Sequence, residues 1–590
     1  MTNRNVILGI GQTHNASACL LVDGRLTAWA SEERFNRQKN TTAFPVEAAR
    51  NVLKESSVEP GEVDAVIHNY RHPVPGFSLG DEHIASDATH GLHAARRFAN
   101  RPVGHYSPAE VVFRRVYRGL SGRTQEGHEE RFRTEISRTL GVDRSRVRLE
   151  DHHLCHAYAG YAFYVDEQTW DRPALVSTLD AEGDDKSATV SIAHRGELTV
   201  LAATPGGRSI GVLYGAVTEW LDKRMNEHEY KVMGLAPYAT SVLAERAQAL
   251  LEPLVRIDSL EFRTSCSGGA FPHVVQRRLA GEALRRRRRW DAWPSWRSAS
   301  WSGSVTPSGW QASPTWCSAR GVFMNVKAKM AVVEMPEVTS VTECPSAGDE
   351  SALIGAAYSE YCQRAGANGD LGRAGPPGRV VDNLYLGPAF PDDEIQGALT
   401  RHEVGTKYEL TRLTLAEEAG AIAGLLAEGH VVARFAGRME FGARALGNRS
   451  ILADPSRREV VQVINDEIKG RDFWMPFAWT VLADAADRYL EIPKEVPAPY
   501  MALAFHTRAD ERAAIVAGTH PYDHTVRPQV LEHRDDPRYH DLIQALERRT
   551  GTGVVSNTSF NLHGEPLVCT PDDALDVSGR SELTALQLEG

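Results

Sequence analysis

The chain opens on short apolar runs of the kind that make strands. VILGI, then ASACLLV and LTAWA on either side of Asp23 and Gly24, read as a strand followed by a hairpin, because the runs are short and Asp-Gly is a strong tight-turn signal. FPVEAARNVLKESS carries apolar positions at helical spacing, and VDAVIHNY returns to a strand. The same signature recurs where PALVSTLDAEGDD leads into KSATVSIAHRGELTVLAAT. There SATVSIAHRGELTVLA aligns with SACLLVDGRLTAWA across a two-residue insertion. A duplicated strand-turn-strand unit predicts two similar α/β halves facing a ligand across a cleft, with GQTHNAS and DAEGDDKS as the paired polar turns.

Between the copies, a polar stretch from about Arg71 to Arg146 reads as an insertion, with helices expected in SPAEVVFRRVYRGL and HEERFRTEISRTL. Helices are also predicted in DHHLCHAYAGYAFY, in RSIGVLYGAVTEWLDKR, and in SAGDESALIGAAYSEYCQRA, whose small apolar residues suit burial. GANGDLGRAGPPGRV is the best linker, so a boundary near Gly366 to Arg379 divides a first domain, 1–370, from a second, 380–590. Beyond it, LAEEAGAIAGLLAEG and REVVQVINDEI read as helices, VVARF and TGVVSN as strands, which makes the second domain α/β as well. One stretch fits no pattern. From Arg285 to Arg320, six of the eleven tryptophans crowd among arginines and serines without helical or strand period. It reads as a long surface loop unselected for a core, as a basic aromatic loop that stacks on nucleic acid, or as translation in a shifted frame.

Composition narrows the class. With 590 residues, 42% hydrophobic and 24% charged, the chain is a soluble globular protein with two or three cores. The net charge of −11 argues against a generic nucleic-acid binder and for small-molecule partners. Seven scattered cysteines without a CxxC pair suggest neither a disulfide framework nor a thiolate zinc site, and fit a reducing cytoplasm. No run approaches the roughly 20 apolar residues of a bilayer span, and the amino terminus has no signal-peptide pattern.

Several constellations can carry chemistry. His152 and His156, four apart on an expected helix, project from one face and can share a metal; local hydrogen bonding is the competing reading. Asp180, ending the strand ALVSTLD, and Asp349, in a Gly-Asp turn before a helix, are placed where a carboxylate can join them. Two imidazoles with one or two carboxylates suit Fe(II), Mn(II) or Zn(II). His14 is either a general base or a turn histidine. EHEYKVMGLAPY offers Lys231, and GVFMNVKAKM offers Asn325 and Lys327 at a strand-to-helix junction whose N–H groups favour phosphate. In GRMEFGARALGNRS, Gly437, Gly442 and Gly447 recur every five residues with Arg438, Arg444 and Arg449 interleaved, a candidate anion cradle. Lys469 and Arg471 in KGRDFWMPF, Arg527, and Asn557 in SNTSFNLHGEP extend it, and no P-loop occurs.

These pieces, in order along nearly the whole chain, resemble the O-carbamoyltransferase family of nodulation and antibiotic carbamoyltransferases. The matching segments are LGIGQTHNASACLLVDG with SEERFNRQK, HHLCHA, TLDAEGD, YKVMGLAPY, GVFMN, GDESALIGAA, GRMEFGARALGNRSILADP, KGRDFWMPFAW and SNTSFNLHGEP. The resemblance implies an amino-terminal domain with the duplicated superfold of actin, sugar kinases and heat-shock chaperones, in its metal-containing form. It implies a second domain like a threonylcarbamoyl-adenylate synthase. Carbamoyl phosphate, water and ATP, with Mg2+, would react in the second domain to give carbamoyl-adenylate, phosphate and pyrophosphate. A hydroxyl of a secondary metabolite would then take the carbamoyl group in the first. By motif, His152, His156, Asp180 and Asp349 would hold a metal, Fe(II) or another divalent ion, and His14 would sit beside the carbamoyl carbon. Lys231, Asn325, Arg444, Lys469, Arg471, Arg527 and Asn557 would contact nucleotide and carbamoyl phosphate, and the 71–146 insertion would bind the acceptor. Asn15, where the family often has Asp, and Met475, where it commonly has Arg, depart from the pattern. A tRNA threonylcarbamoyl-type transferase and an inactive nucleotide-binding paralogue are the rival readings. A hydrogenase-maturation transferase is disfavoured by the missing CxxC motifs.

Overall fold

The computed structural model describes residues 4–13, 15–71, 129–280, 315–319, 321–367, 378–469, 477–494 and 496–589. His14, Arg471, Met475, the expected helix SPAEVVFRRVYRGL and most of the Arg-Trp stretch lie outside them. The chain forms two compact units. One comprises residues 1–28 and 41–381, the other residues 29–40 and 382–590.

In the first unit, β1 (Val6–Gly11), β2 (Ser17–Val22) and β3 (Arg25–Ser31) form an antiparallel meander. Asp23 and Gly24, at φ 51° and 79°, make its turn, because both central residues of such a tight hairpin need positive φ. The helix α1 (Val46–Glu55) crosses to β4 (Ala65–His68), which pairs parallel with β1, and β5 (Val147–Leu149) follows parallel to β4. A second sheet repeats this plan. β6 (Ala174–Gly183), β7 (Lys186–His194) and β8 (Glu197–Pro205) form the meander, with Arg195 and Gly196 at φ 51° and 80° in the turn that aligns with Asp23-Gly24. A separate hairpin, β9 (Val255–Asp258) and β10 (Glu261–Thr264), precedes β11 (Thr315–Ala319) and β12 (Ser340–Glu343), which pair parallel beside β6. The two five-stranded sheets thus share one strand order, third-second-first-fourth-fifth.

Two expectations need correction here. Asp180 does not end its strand, which runs on to Gly183 through a bulge. The tail of the Arg-Trp stretch is core after all: in β11, Trp316 and Cys317 are buried, and Trp316 Nε1 donates to Ser177 Oγ at 3.2 Å. A strand flanked by two others is stabilised by its neighbours, which local composition does not reveal.

The helices α2 (His152–Ala162) and α5 (Asp349–Ala367) pack against each other beside these sheets, and α3 (Ile210–Trp220) and α4 (Val326–Val333) lie between them along the chain. Their approach is unusually close. A Cβ on Gly355 would stand 1.8 Å from the Cys155 carbonyl oxygen, and one on Gly9 would stand 2.4 Å from the Leu353 oxygen.

The second unit is a three-layer α/β sandwich. Its sheet has the order β19-β15-β20-β14-β13-β21, from β13 (Val432–Phe435), β14 (Arg449–Ala453), β15 (Ala478–Leu482), β19 (Pro528–Leu531), β20 (Val554–Ser559) and β21 (Ala585–Leu588). The short strands β16 (Leu490–Glu491), β17 (Phe505–Thr507) and β18 (Thr525–Val526) form a separate sheet. Alternate strand residues feed two cores: Val432 and Leu452 meet α6 (Leu415–Glu428) and α7 (Pro537–Thr550), while Ala433, Phe435 and Ile451 meet α8 (Pro571–Gly579) and the 459–469 helix. That last helix becomes π-helical over Val463–Lys469. The segment 29–40 contributes to this unit: the Trp29 ring meets Phe441 edge-on at 4.7 Å, and Arg34 Nη2 and Arg37 Nη1 donate to the Gly442 and Leu567 carbonyls at 3.0 and 2.6 Å. All seven cysteines are free, and among the described residues no helix is long and apolar enough to cross a membrane.

Candidate metal centre and arginine loop

Helical spacing does put His152 and His156 on one face of α2, and α5 delivers Asp349 to them at its first turn. Both Nε2 atoms approach the same Asp349 Oδ1, at 3.5 and 3.4 Å, and all three side chains are buried. Donor atoms around a tetrahedral ion lie about 3.3 Å apart, so this separation already fits a bound cation. His152 Nδ1 lies 2.7 Å from the Asn69 carbonyl oxygen. A carbonyl only accepts, so the proton sits on Nδ1 and the Nε2 lone pair faces the carboxylate, the orientation a ligating imidazole needs. Tyr70 stacks on the same ring at 3.5 Å, and Asp151 caps the helix by accepting from Leu154 N. Asn69 and Tyr70 went unnoticed in the sequence because they act through a backbone carbonyl and a ring face at a strand end.

Asp180 is half-buried in β6 and is not among the three residues whose donor atoms lie within 4.8 Å of one another. Its Oδ1 faces Gly321, where a Cβ would stand 2.7 Å away. Beside Asp349, buried Glu350 accepts from Asn15 Nδ2 at 3.1 Å and from Ser346 Oγ. Asn15 therefore supplies a donor that an aspartate would lack. Asn325 caps α4, its Oδ1 accepting from Lys327 N and Ala328 N at 3.0 and 3.2 Å. On the same helix Lys329 is buried 3.6 Å from buried Glu343, whose carboxyl burial pushes up to about 7 while the ammonium pulls it down. Lys231 is buried on the short helix Glu229–Leu235.

In the second unit the glycine-arginine segment is a loop leading into the central strand β14, which the Gly and Arg punctuation concealed. Gly437, Gly442 and Gly447 adopt φ of 45°, 85° and 122°, which explains the glycines. The arginines divide. Arg449 is fully buried, with Nη1 2.6 Å from the Ala436 oxygen, Nη2 3.2 Å from the Gly437 oxygen and its guanidinium 3.7 Å over the Phe435 ring. Burial lowers it to about 10 against the pull of Glu440, and its donors serve the loop's own carbonyls. Arg438 likewise donates to the Leu386 and Gly387 carbonyls. Arg444 is half-buried in the same loop. The acidic residue passed over in the sequence organises it: Glu440 Oε1 accepts from the N–H groups of Leu446, Asn448 and Arg449 at 2.8–2.9 Å. Asn557, on neighbouring β20, donates to Thr480 Oγ1 at 3.1 Å, and its buried Oδ1 has no hydrogen-bond partner among the described residues. Arg527 lies half-buried between β18 and β19, and Lys469 ends the π-helix.

Two family models match the chain. A family model described as Carbamoyltransferase N-terminus matches residues 6–267, and one described as Carbamoyltransferase C-terminus matches residues 423–590. An uncharacterized protein of Synechocystis sp. is 28% identical over 99% of this chain and 95% of its own length. Nodulation protein NolNO of Sinorhizobium fredii is 28% identical over 97% of this chain and 78% of its own. A ROK hexokinase structure from Thermus thermophilus covers 42% of this chain and 75% of its own, at 13% identity and a TM-score of 0.20, too low to carry an argument. With both family models matched in order and relatives aligned over almost its full length, the chain belongs to the carbamoyltransferase family.

Proposed function

We propose that the protein is an ATP-dependent O-carbamoyltransferase that moves the carbamoyl group of carbamoyl phosphate, through carbamoyl-adenylate, to a hydroxyl of a secondary metabolite. The observation that carries this reading is the buried convergence of His152, His156 and Asp349 within a chain matched by both carbamoyltransferase family models. Those three residues would hold the metal, with Asp180 as a further ligand. Two imidazoles and carboxylate oxygen suit Fe(II), which supplies Lewis-acid polarisation of a bound oxygen. His14 would take the proton of the acceptor hydroxyl, since an imidazole near neutral pKa is matched to that task. In the second unit, Arg444, Lys469, Arg471, Arg527 and Asn557 would bind carbamoyl phosphate and ATP with its Mg2+, and Lys231 and Asn325 would contact the nucleotide in the first. The same strand order in both sheets of the first unit supports the duplicated fold of actin, sugar kinases and heat-shock chaperones. The second unit is read as threonylcarbamoyl-adenylate-synthase-like.

Purified protein supplied with ATP and carbamoyl phosphate should release pyrophosphate, and His14→Asn should keep that release while losing acceptor carbamoylation. Absence of pyrophosphate release with both substrates would overturn the reading in favour of an inactive nucleotide-binding paralogue.

A further inference from the structure

A second cluster of metal-ligating side chains lies in the carboxy-terminal unit. His533 follows β19, and His540 and Asp541 stand on α7. His533 Nε2 and His540 Nδ1 each lie 3.9 Å from the same Asp541 Oδ1, and the two rings meet edge-on with centroids 5.1 Å apart. His540 is the fixed member, its side chain 13% exposed and its Nδ1 buried without a hydrogen-bond partner among the described residues. His533 and Asp541 are 63% and 57% exposed, so they can close the few tenths of an ångström to the roughly 3.3 Å spacing of donors around a tetrahedral ion. Neighbouring guanidiniums are engaged elsewhere, Arg534 with Glu532 and Arg538 with Glu418. Among the described residues no lysine or arginine pairs with the Asp541 carboxylate, which faces the two imidazoles alone.

We propose that His533, His540 and Asp541 form a second divalent-metal site, of the imidazole-preferring class of zinc, nickel, cobalt or copper, which ties the loop after β19 to α7. Two borderline nitrogen donors and one carboxylate match that class and leave the outer positions to water. The site is independent of the His152 triad and of the transfer reaction.

Zinc binding to the metal-stripped, untagged full chain tests it by equilibrium dialysis with metal analysis. Asp349→Ala should retain one zinc equivalent and a thermal shift of about 5 °C at zinc a hundredfold above its Kd. Adding His533→Ala and His540→Ala should abolish both, and Asp541→Asn should weaken the site about tenfold or more. The proposal is overturned if Asp349→Ala binds no zinc, or if the histidine substitutions leave its zinc equivalent in place. Failure of the carbamoyl-transfer reading would leave either result unchanged.

Discussion

Gly355→Ala is the sharpest perturbation of the metal centre that touches none of its ligands. The new Cβ would lie 1.8 Å from the Cys155 oxygen and 2.4 Å from Ala159 N, both backbone atoms of α2. An ordinary carbon–oxygen contact is about 3.3 Å, so the helices must part locally by more than about 1 Å, and no flexible side chain can absorb the strain. Overpacking costs about 1–3 kcal/mol, against which alanine returns about 1 kcal/mol of helix propensity, for a net loss of up to about 2 kcal/mol. The same displacement carries Asp349 away from His152 and His156, which now stand 3.5 and 3.4 Å from its Oδ1. Urea denaturation should show the loss, and metal analysis after loading with Fe(II) or zinc should show affinity reduced tenfold or more. Gly420→Ala is the control: it sits in α6 with nothing within 4 Å of the added Cβ, and should stabilise by about 1 kcal/mol. Wild-type stability and metal affinity in the Gly355 variant would refute the close-packing argument.

Three further outcomes are expected. Burial holds Glu343 at about 7, above the ordinary 4.5, so its share of stability is whole below about pH 4.5 and is lost as pH rises through 7. Lys329→Met, which removes its cation, should therefore destabilise far more at pH 8 than at pH 5; equal losses in denaturation at both would contradict this. Glu440→Ala removes the acceptor of three N–H groups and the counter-charge of buried Arg449, and should cost about 3–5 kcal/mol, with Glu440→Gln costing less; urea midpoints decide. Asn15→Asp replaces the donor 3.1 Å from Glu350 with a second carboxylate and should cost about 1–3 kcal/mol at pH 8, read by thermal denaturation.

What the sequence disclosed was whatever depends on local pattern. The hairpin turns at Asp23-Gly24 and Arg195-Gly196 need positive φ, and their shared signature exposed the repeated meander. The spacing of His152 and His156 is a property of one helix, so their common face was readable before any fold was known. Glu440 was not, because its partners are N–H groups six to nine residues on, brought round only by the loop's three left-handed glycines. Arg449 looked like an anion ligand for the same reason: whether a guanidinium serves a substrate or its own backbone depends on burial. β14 and β11 were missed because a central strand is decided by its neighbours, and Gly, Arg and Trp punctuation obscured both.

The inclusion of residues 29–40 in the second unit sets an order of events on the ribosome. The chain passes between units after Ala28, Asn40 and Val381, so the second unit is not a contiguous stretch of sequence. Gly442 is made 408 residues after Arg34, and Leu567 follows Arg37 by 530. At ordinary elongation rates the early segment waits roughly 20–110 s for the groups that will bury it. A fragment begun at residue 382 would lack the Trp29 ring and the guanidinium of Arg34, so the two halves of this enzyme cannot be exchanged as cassettes cut at the linker.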